Sequence, residues 1–337
     1  MLSLAINGFG RIGRSVFRAI YERELTHSLQ VVAINELADL ETIRYLARYD
    51  STHGKFPGDI LAGGEQLLVN GHTVEVSHVE ALDKLRWNGI DVVLECSGTF
   101  DERALAERHL AAGAKRVLFS QPATPDVDAT IVCGVNEADL KAEHTIVSAA
   151  SCTTNCVVPV LDILHRHLGI EAGVITTIHS AMNDQPLLDS YHHTDLRKTR
   201  AAIQSMIPVD TRLARGIDRV LPELEGKIEA QAMRVPTQNV SAIDLSVVVN
   251  RDVTISEINS VLAEAAAGKL HKILSYTEEP LASCDFNHDP HSGIVDASQT
   301  RVAGKRLVKL LIWFDNEWGY ANRMIDVLLN WQQKIGD

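Results

Sequence analysis

Cys152 lies in Ser-Cys-Thr-Thr-Asn-Cys (151–156), and His179 closes the next apolar run, Gly173-Val-Ile-Thr-Thr-Ile-His179. A thiol and an imidazole delivered by successive elements are the parts of a nucleophile and its base. The run before Cys152, Thr145-Ile-Val-Ser-Ala-Ala150, reads as a short strand with small residues at its end. The run after it, Val157-Val-Pro-Val-Leu-Asp-Ile-Leu164, is apolar at helical spacing. Cys152 is therefore expected in the first turn of a helix. The positive helix end, with a His179 imidazolium beside it, would lower the thiol pKa from about 8.5 into a reactive range. Packing in a core is the commoner fate of a free cysteine, so the rest of the chain has to decide.

The amino-terminal half supplies a second chemistry. Leu2–Asn7 reads as a short apolar strand that runs into Gly8-Phe-Gly10-Arg-Ile-Gly13, followed by a helix from Arg14. A second strand, from Leu29, ends at Asn35-Glu36. Strand, glycine turn, helix, strand and acid in that order form the context of a dinucleotide site. The glycines permit the tight turn, backbone approach to a pyrophosphate and helix-on-strand packing. Glu36 falls where a carboxylate can accept from ribose hydroxyls and would repel a 2′-phosphate, so NAD is expected rather than NADP. Asn70-Gly71 suits a type I′ hairpin between 66 and 76. The stretches 90–96, 117–122 and 129–133 continue as strands, with Cys96 and Cys133 in the core.

The second half reads differently. After the strand that delivers His179, residues 180–208 are polar and irregular, a length uncommon unless functional. Strands of a mixed or antiparallel sheet follow at 227–235 and 242–249, then a helix at 256–267 with Ser256 and Asn259 as a partial capping box. The strand 307–314 leads to Asp315-Asn316-Glu-Trp-Gly-Tyr320 and a last amphipathic helix. The expected fold is α/β: a Rossmann-type parallel-sheet domain at 1–151, completed by the helix at 316–337, and an α+β catalytic domain at 152–315 with a mixed or antiparallel sheet.

Composition removes other classes. A chain of 337 residues, 45% hydrophobic, can bury two cores. Its 32 basic and 44 acidic residues leave a net charge of −12, which argues against nucleic acid or an anionic membrane as partner. No apolar run approaches the roughly 20 residues of a membrane span. Five irregularly spaced cysteines suggest no disulfide framework. With no signal peptide at the start, a reducing, cytoplasmic setting is expected. His192-His193 and His288-Asp-Pro-His291 lack further ligands at convincing spacing, so they are read as loop residues and no metal is expected. Cys156 is read as packing behind Cys152.

Asn7-Gly-Phe-Gly-Arg-Ile-Gly-Arg14, Ala150-Ser-Cys152-Thr-Thr-Asn-Cys156, His179, Arg234-Val-Pro-Thr-Gln-Asn239 and Trp313-Phe-Asp-Asn316-Glu-Trp-Gly-Tyr320 together resemble the glyceraldehyde-3-phosphate dehydrogenase family, in order and end to end. Within it, the segments 177–185, 207–211 and 285–292 are similar to the erythrose-4-phosphate dehydrogenase branch. The resemblance implies that Cys152 is acylated and that His179 is its base. It places Asn7, Gly8, Gly10, Arg11, Ile12, Gly13, Glu36, Ser120 and Asn316 at the cofactor, with Asn316 on the nicotinamide carboxamide. It places Arg197 and Arg234 near the phosphate of a small phosphorylated aldehyde. Arg197, Arg200 and Arg234 are candidates for that phosphate as rigid forks suited to its oxygens, and Ser151, Thr153 and Thr211 are expected at the same substrate. The resemblance also implies a homotetramer in which the 180–208 loop meets a neighbour.

The departures from the glycolytic pattern carry the finer reading. Met182 and Asp184 stand where two threonine hydroxyls would hold substrate phosphate. Val209-Asp210 precede Thr211 where paired serines would grip inorganic phosphate. A desolvated carboxylate there opposes an anion. The expectation is NAD-dependent oxidation of D-erythrose 4-phosphate to 4-phospho-D-erythronate, with the Cys152 thioester released to water, in vitamin B6 synthesis. The alternatives are a phosphorylating glyceraldehyde-3-phosphate dehydrogenase and a non-catalytic NAD-binding protein.

Overall fold

The structure, a computed structural model, describes residues 1–192 and 195–336. It divides into two compact units: Met1–Ser151 together with the chain from Ala321 onward, and Cys152–Tyr320.

In the first unit the strand Leu2–Asn7 buries Leu4, Ala5 and Ile6 completely. That suits a parallel strand covered on both faces. The helix Arg11–Glu22 follows the glycine turn and lays Val16, Phe17, Ala19 and Ile20 into the core. Among the described residues nine strands form one sheet. Its order is Ala129–Thr130, Ile146–Ser148, Val117–Phe119, Val92–Glu95, Leu2–Asn7, Leu29–Asn35, His72–Ser77, Gln66–Val69 and Ile60–Gly63. The pairs from Ala129–Thr130 through His72–Ser77 are parallel, and the final two are antiparallel. The chain builds outward on one side of Leu2–Asn7, then crosses to the other with Val92–Glu95. That change of direction is a topological switch point, where open α/β sheets bind ligands.

The hairpin turns at Asn70 (φ 48°) and Gly71 (φ 86°), both left-handed as a type I′ turn requires. The expected strand at 129–133 is cut to Ala129–Thr130. Ile131 N–H still donates to the Ser148 carbonyl, and then side chains accept: Val132 N–H donates to Asn136 Oδ1 and Gly134 N–H to Glu137 Oε2. Cys96 and Cys133 are buried in this unit, and burial pushes both thiols up to about 12. Helix Trp318–Gly336 ends the chain. Its residues Asn322 and Asp326 accept from Arg23 at the end of the first helix.

In the second unit eight described strands form a mixed sheet. Its order is Ile207–Val209, Ile228–Arg234, Ile170–His179, Ser241–Val249, Leu307–Phe314, Gly293–Asp296 and Leu274–Thr277, with Arg301–Ala303 paired to Leu307–Phe314. Helix Cys152–Leu168 packs on it. The approach is close: a Cβ on Gly293 would sit 3.3 Å from the Cys156 sulfur, so Cys156 is fixed in the core. The helix Ile255–Ala267 is capped by Thr254, whose hydroxyl accepts from Glu257 N–H, and not by Ser256. The correction has a sequence signal, since Thr254-x-x-Glu257 is the better capping pattern.

Candidate active site

Strand register assembles the site in the second unit. Ile170–His179 and Ile228–Arg234 run parallel with His179 directly beside Arg234. The antiparallel strand Ser241–Val249 begins at the same edge, and Ser241 pairs with Phe314, two residues before Asn316. Neighbouring strands are about 4.8 Å apart. Residues distant in sequence thus converge at one sheet edge.

Cys152 is the first residue of its helix and half-buried. Its sulfur is 3.8 Å from His179 Nε2. His179 is 7% exposed, and its Nδ1 lies 2.9 Å from the Ser180 carbonyl. A carbonyl only accepts, so the proton sits on Nδ1 and the bare Nε2 faces the thiol. Burial first, and the Arg234 cation second, bring the His179 pKa down to about 4. Burial also pushes the Cys152 thiol above its ordinary value, against the pull of the Thr153 N–H and hydroxyl and of Arg234. The expected imidazolium and lowered thiol pKa are therefore corrected: at neutral pH the structure holds a thiol beside a neutral base. Desolvation of the charged forms outweighs the helix end.

Asn316 is held by two hydroxyls. Ser180 Oγ and Ser241 Oγ both donate to its Oδ1, at 2.9 and 2.8 Å. This fixes the carboxamide plane and turns its N–H2 group, a donor pair, to the opposite side. Ser241 Oγ also accepts from Ser180 N–H, so one serine ties the His179 segment to Asn316. Val240 precedes it at φ 66°, a costly conformation for a β-branched residue. Strain of that kind, of order 1–3 kcal/mol, collects where a site must hold a shape. Neither serine stood out in the sequence. Ser180 adjoins the base, whereas Ser241 is found only through strand register.

The residues expected at phosphate separate into two groups. Arg234 NH1 donates to Asp184 Oδ1 and Gln185 Oε1, each at 3.3 Å. Lys198 Nζ reaches the other Asp184 oxygen at 2.8 Å. Arg200 instead pairs at the surface with Asp189, and Arg197 is exposed on a short 3-10 turn. Thr211 Oγ1 accepts from Leu213 N–H at a helix start. Ser151 and Thr153 flank the nucleophile and are half-buried. Met182 and Asp210 are exposed. His193 lies outside the described residues. His288 stacks on Trp318 at 3.7 Å and His291 meets Asp289. Among the described residues no three metal-ligating side chains converge.

In the first unit each glycine of the turn has a separate duty. Gly8 has φ 87°, and a Cβ there would lie 2.5 Å from the Ser97 backbone. A Cβ on Gly13 would lie 2.3 Å from the Gly8 carbonyl, whereas one on Gly10 would meet nothing within 4 Å. Gly8 and Gly13 are thus required by the fold, and Gly10 leaves open the space a pyrophosphate needs. Gly8→Ala is expected to cost at least about 2 kcal/mol, read by chemical denaturation. Gly10→Ala should leave stability within about 0.5 kcal/mol and weaken dinucleotide binding, read by calorimetry. Equal effects of the two on stability would contradict these roles.

Glu36 is fixed beside the turn, accepting from Phe9 N–H at 2.7 Å and Leu37 N–H at 2.8 Å. Ile12 is half-buried in the first helical turn, and Ser120 follows the strand Val117–Phe119 at the carboxyl edge. Asn7 is committed inward. Its Nδ2 donates to buried Glu95 and its Oδ1 accepts from Asn35. Glu95 also receives Ser97 N–H and His109, a buried carboxylate network with no local sequence signature. Arg11 forms an ion pair with Asp50. Burial would raise the Asp50 pKa, but Arg11 and the His53 and Thr52 N–H groups hold it well below the usual carboxylate range.

A doubly wound unit with this glycine turn fits a dinucleotide-dependent oxidoreductase, and the second unit sets a cysteine beside a histidine. Residues 2–103 match the family model described as glyceraldehyde 3-phosphate dehydrogenase, NAD binding domain, and residues 151–316 match its C-terminal domain. The chain belongs to the glyceraldehyde 3-phosphate dehydrogenase family, whose cofactor is NAD and whose substrates are phosphorylated aldehydes. The open face at Gly10 and the anchored Glu36 carboxylate fit that cofactor.

Proposed function

We propose that this chain oxidises D-erythrose 4-phosphate to 4-phospho-D-erythronate through a thioester on Cys152 that water hydrolyses. The observation that carries the covalent step is the Cys152–His179 pair, with an unprotonated Nε2 3.8 Å from the sulfur. His179 takes the thiol proton as sulfur adds to the aldehyde carbon, passes it to the former carbonyl oxygen to give the hemithioacetal hydroxyl, and takes it back when that adduct is oxidised. Bound NAD supplies the two-electron acceptor that turns this adduct into a thioester. Asn316, through its free amide face, is the residue suited to orient the nicotinamide carboxamide. The Cys152 backbone N–H, and His179 while its Nε2 carries the thiol proton, are suited to the oxyanion.

What supports water as acyl acceptor is the pattern at 209–211: an apolar side chain and a carboxylate precede Thr211 where hydroxyls would grip inorganic phosphate. What supports a changed aldehyde is Met182 and Asp184 in the substrate-phosphate segment. The exposed apolar residues Leu187, Leu188, Tyr191, Leu196 and Met206 support burial of the long loop against other copies, as in a homotetramer. The reading sets the enzyme in a reducing cytoplasm, making the precursor of vitamin B6.

Steady-state NADH formation with the two aldehydes, each with and without inorganic phosphate, tests the reading. The expected kcat/KM for D-erythrose 4-phosphate exceeds that for glyceraldehyde 3-phosphate by about tenfold or more, without a phosphate requirement. A higher, phosphate-dependent rate with glyceraldehyde 3-phosphate would mean the glycolytic reaction instead.

A further inference from the structure

Three side chains from separate segments of the second unit meet at the strand end that carries Arg234 beside His179. Lys198 and Arg234 approach different oxygens of the same carboxylate, Asp184. They come from separate elements: a 3-10 turn at Arg197–Thr199, and the last residue of a strand that places Arg234 beside His179. Two cations aimed at one two-oxygen acceptor form an anion site, and here the chain's own carboxylate fills it. Gln185 Oε1 accepts from the same Arg234 nitrogen and holds the guanidinium in place. The position matters because Arg234 acts on both reacting groups, lowering the pKa of Cys152 and of His179.

Burial alone would raise the Asp184 pKa. Lys198 and Arg234 reverse this and keep it ionised. The trio carries one net positive charge, too little to hold a phosphate dianion tightly with the carboxylate in place. With the carboxylate swung away, two positive charges face the dianion. The Asp184 side chain is 39% exposed, so it has water to turn into.

We infer that Lys198, with Arg234, grips the phosphate of the aldehyde substrate, and that Asp184 is a resident carboxylate which this phosphate displaces. Lys198 thereby replaces hydroxyl donors that Met182 and Asp184 cannot provide, with a flexible stem suited to a longer carbon chain. The inference rests on the phosphorylated-aldehyde reading above and identifies how that substrate is held.

The test uses a phosphate monoester with no aldehyde, so it does not depend on turnover. Glycerol 3-phosphate is titrated against the alkylation of Cys152 by iodoacetamide in the full chain, and the half-protecting concentration is read. Wild type is expected to be protected. Lys198→Met should need roughly tenfold more ester, and Lys198→Arg should restore protection. Asp184→Asn should need about threefold less. Inorganic phosphate should protect only at roughly tenfold higher concentration, lacking the carbon chain. An unprotected wild type, an unchanged Lys198→Met, a weakened Asp184→Asn, or equal protection by inorganic phosphate would each overturn the inference. If protection behaves as expected but neither aldehyde phosphate is oxidised, the functional reading fails and the anion site stands.

Discussion

Replacing Cys152 by alanine is expected to reduce NADH formation by at least about ten-thousandfold, while NAD affinity changes by less than about twofold. The sulfur is the only atom of the pair that can carry the acyl group, and His179 alone can do no more than deprotonate water. The groups fitted to the dinucleotide belong to a separate set: the turn at Gly8, Gly10 and Gly13, and Glu36 accepting from Phe9 N–H. Truncation of a half-buried thiol removes one small contact, so the fold should survive. Stopped-flow absorbance and calorimetry read the two quantities. A variant that keeps a tenth of the rate would remove covalent catalysis from the account, and a protein whose function is unaffected would be a binder, not an enzyme.

His179→Asn is expected to slow acylation of Cys152 by a hundred- to ten-thousandfold at neutral pH. The thiol next to it is held above its ordinary pKa by burial, so without the base little thiolate forms. The deficit should shrink at strongly alkaline pH, where the thiol, held above its ordinary pKa, begins to ionise unaided. Wild type should show the opposite limb: with a His179 pKa of about 4, the base stays ready down to mildly acid pH. A thiolate already formed at pH 6, detected by its ultraviolet absorbance or by pH-independent alkylation, would contradict the neutral pair. The same shift has a stability sign. The folded pKa lies below the unfolded value of about 6.5, so the unfolded chain binds the proton more readily. This contribution, of order 3 kcal/mol, is complete above about pH 6.5 and lost as pH falls toward 4. His179→Asn should therefore be less acid-sensitive than wild type over that interval.

Much of this architecture can be read from local pattern. The glycine turn declares itself because strand, turn and acid each have a short-range cause, and the Asn70-Gly71 hairpin does the same through its left-handed backbone. Cys152 and His179 stand at the ends of apolar runs, so their positions are visible before their meeting is. What pattern does not carry is anything set by register or burial. Ser241 reaches Asn316 because it pairs with Phe314, 73 residues away. The His179–Arg234 adjacency has the same origin. The charge states of Cys152 and His179 reverse the local expectation because desolvation depends on everything packed around them, not on the helix end alone. Among the basic residues at 197–200, sequence singles out the arginines for their fork geometry. The fold turns Lys198 inward to Asp184 and leaves Arg200 with Asp189. No short-range signal separates those outcomes.

Isotope labelling reads what removes the acyl group from Cys152. D-erythrose 4-phosphate is turned over in ordinary water with saturating heavy-oxygen inorganic phosphate, and the product is weighed by mass spectrometry. The expected product is a carboxylate without the label, formed at a rate that phosphate does not change. An acyl phosphate that carries the label, formed at a rate that rises and saturates with phosphate, would contradict hydrolysis.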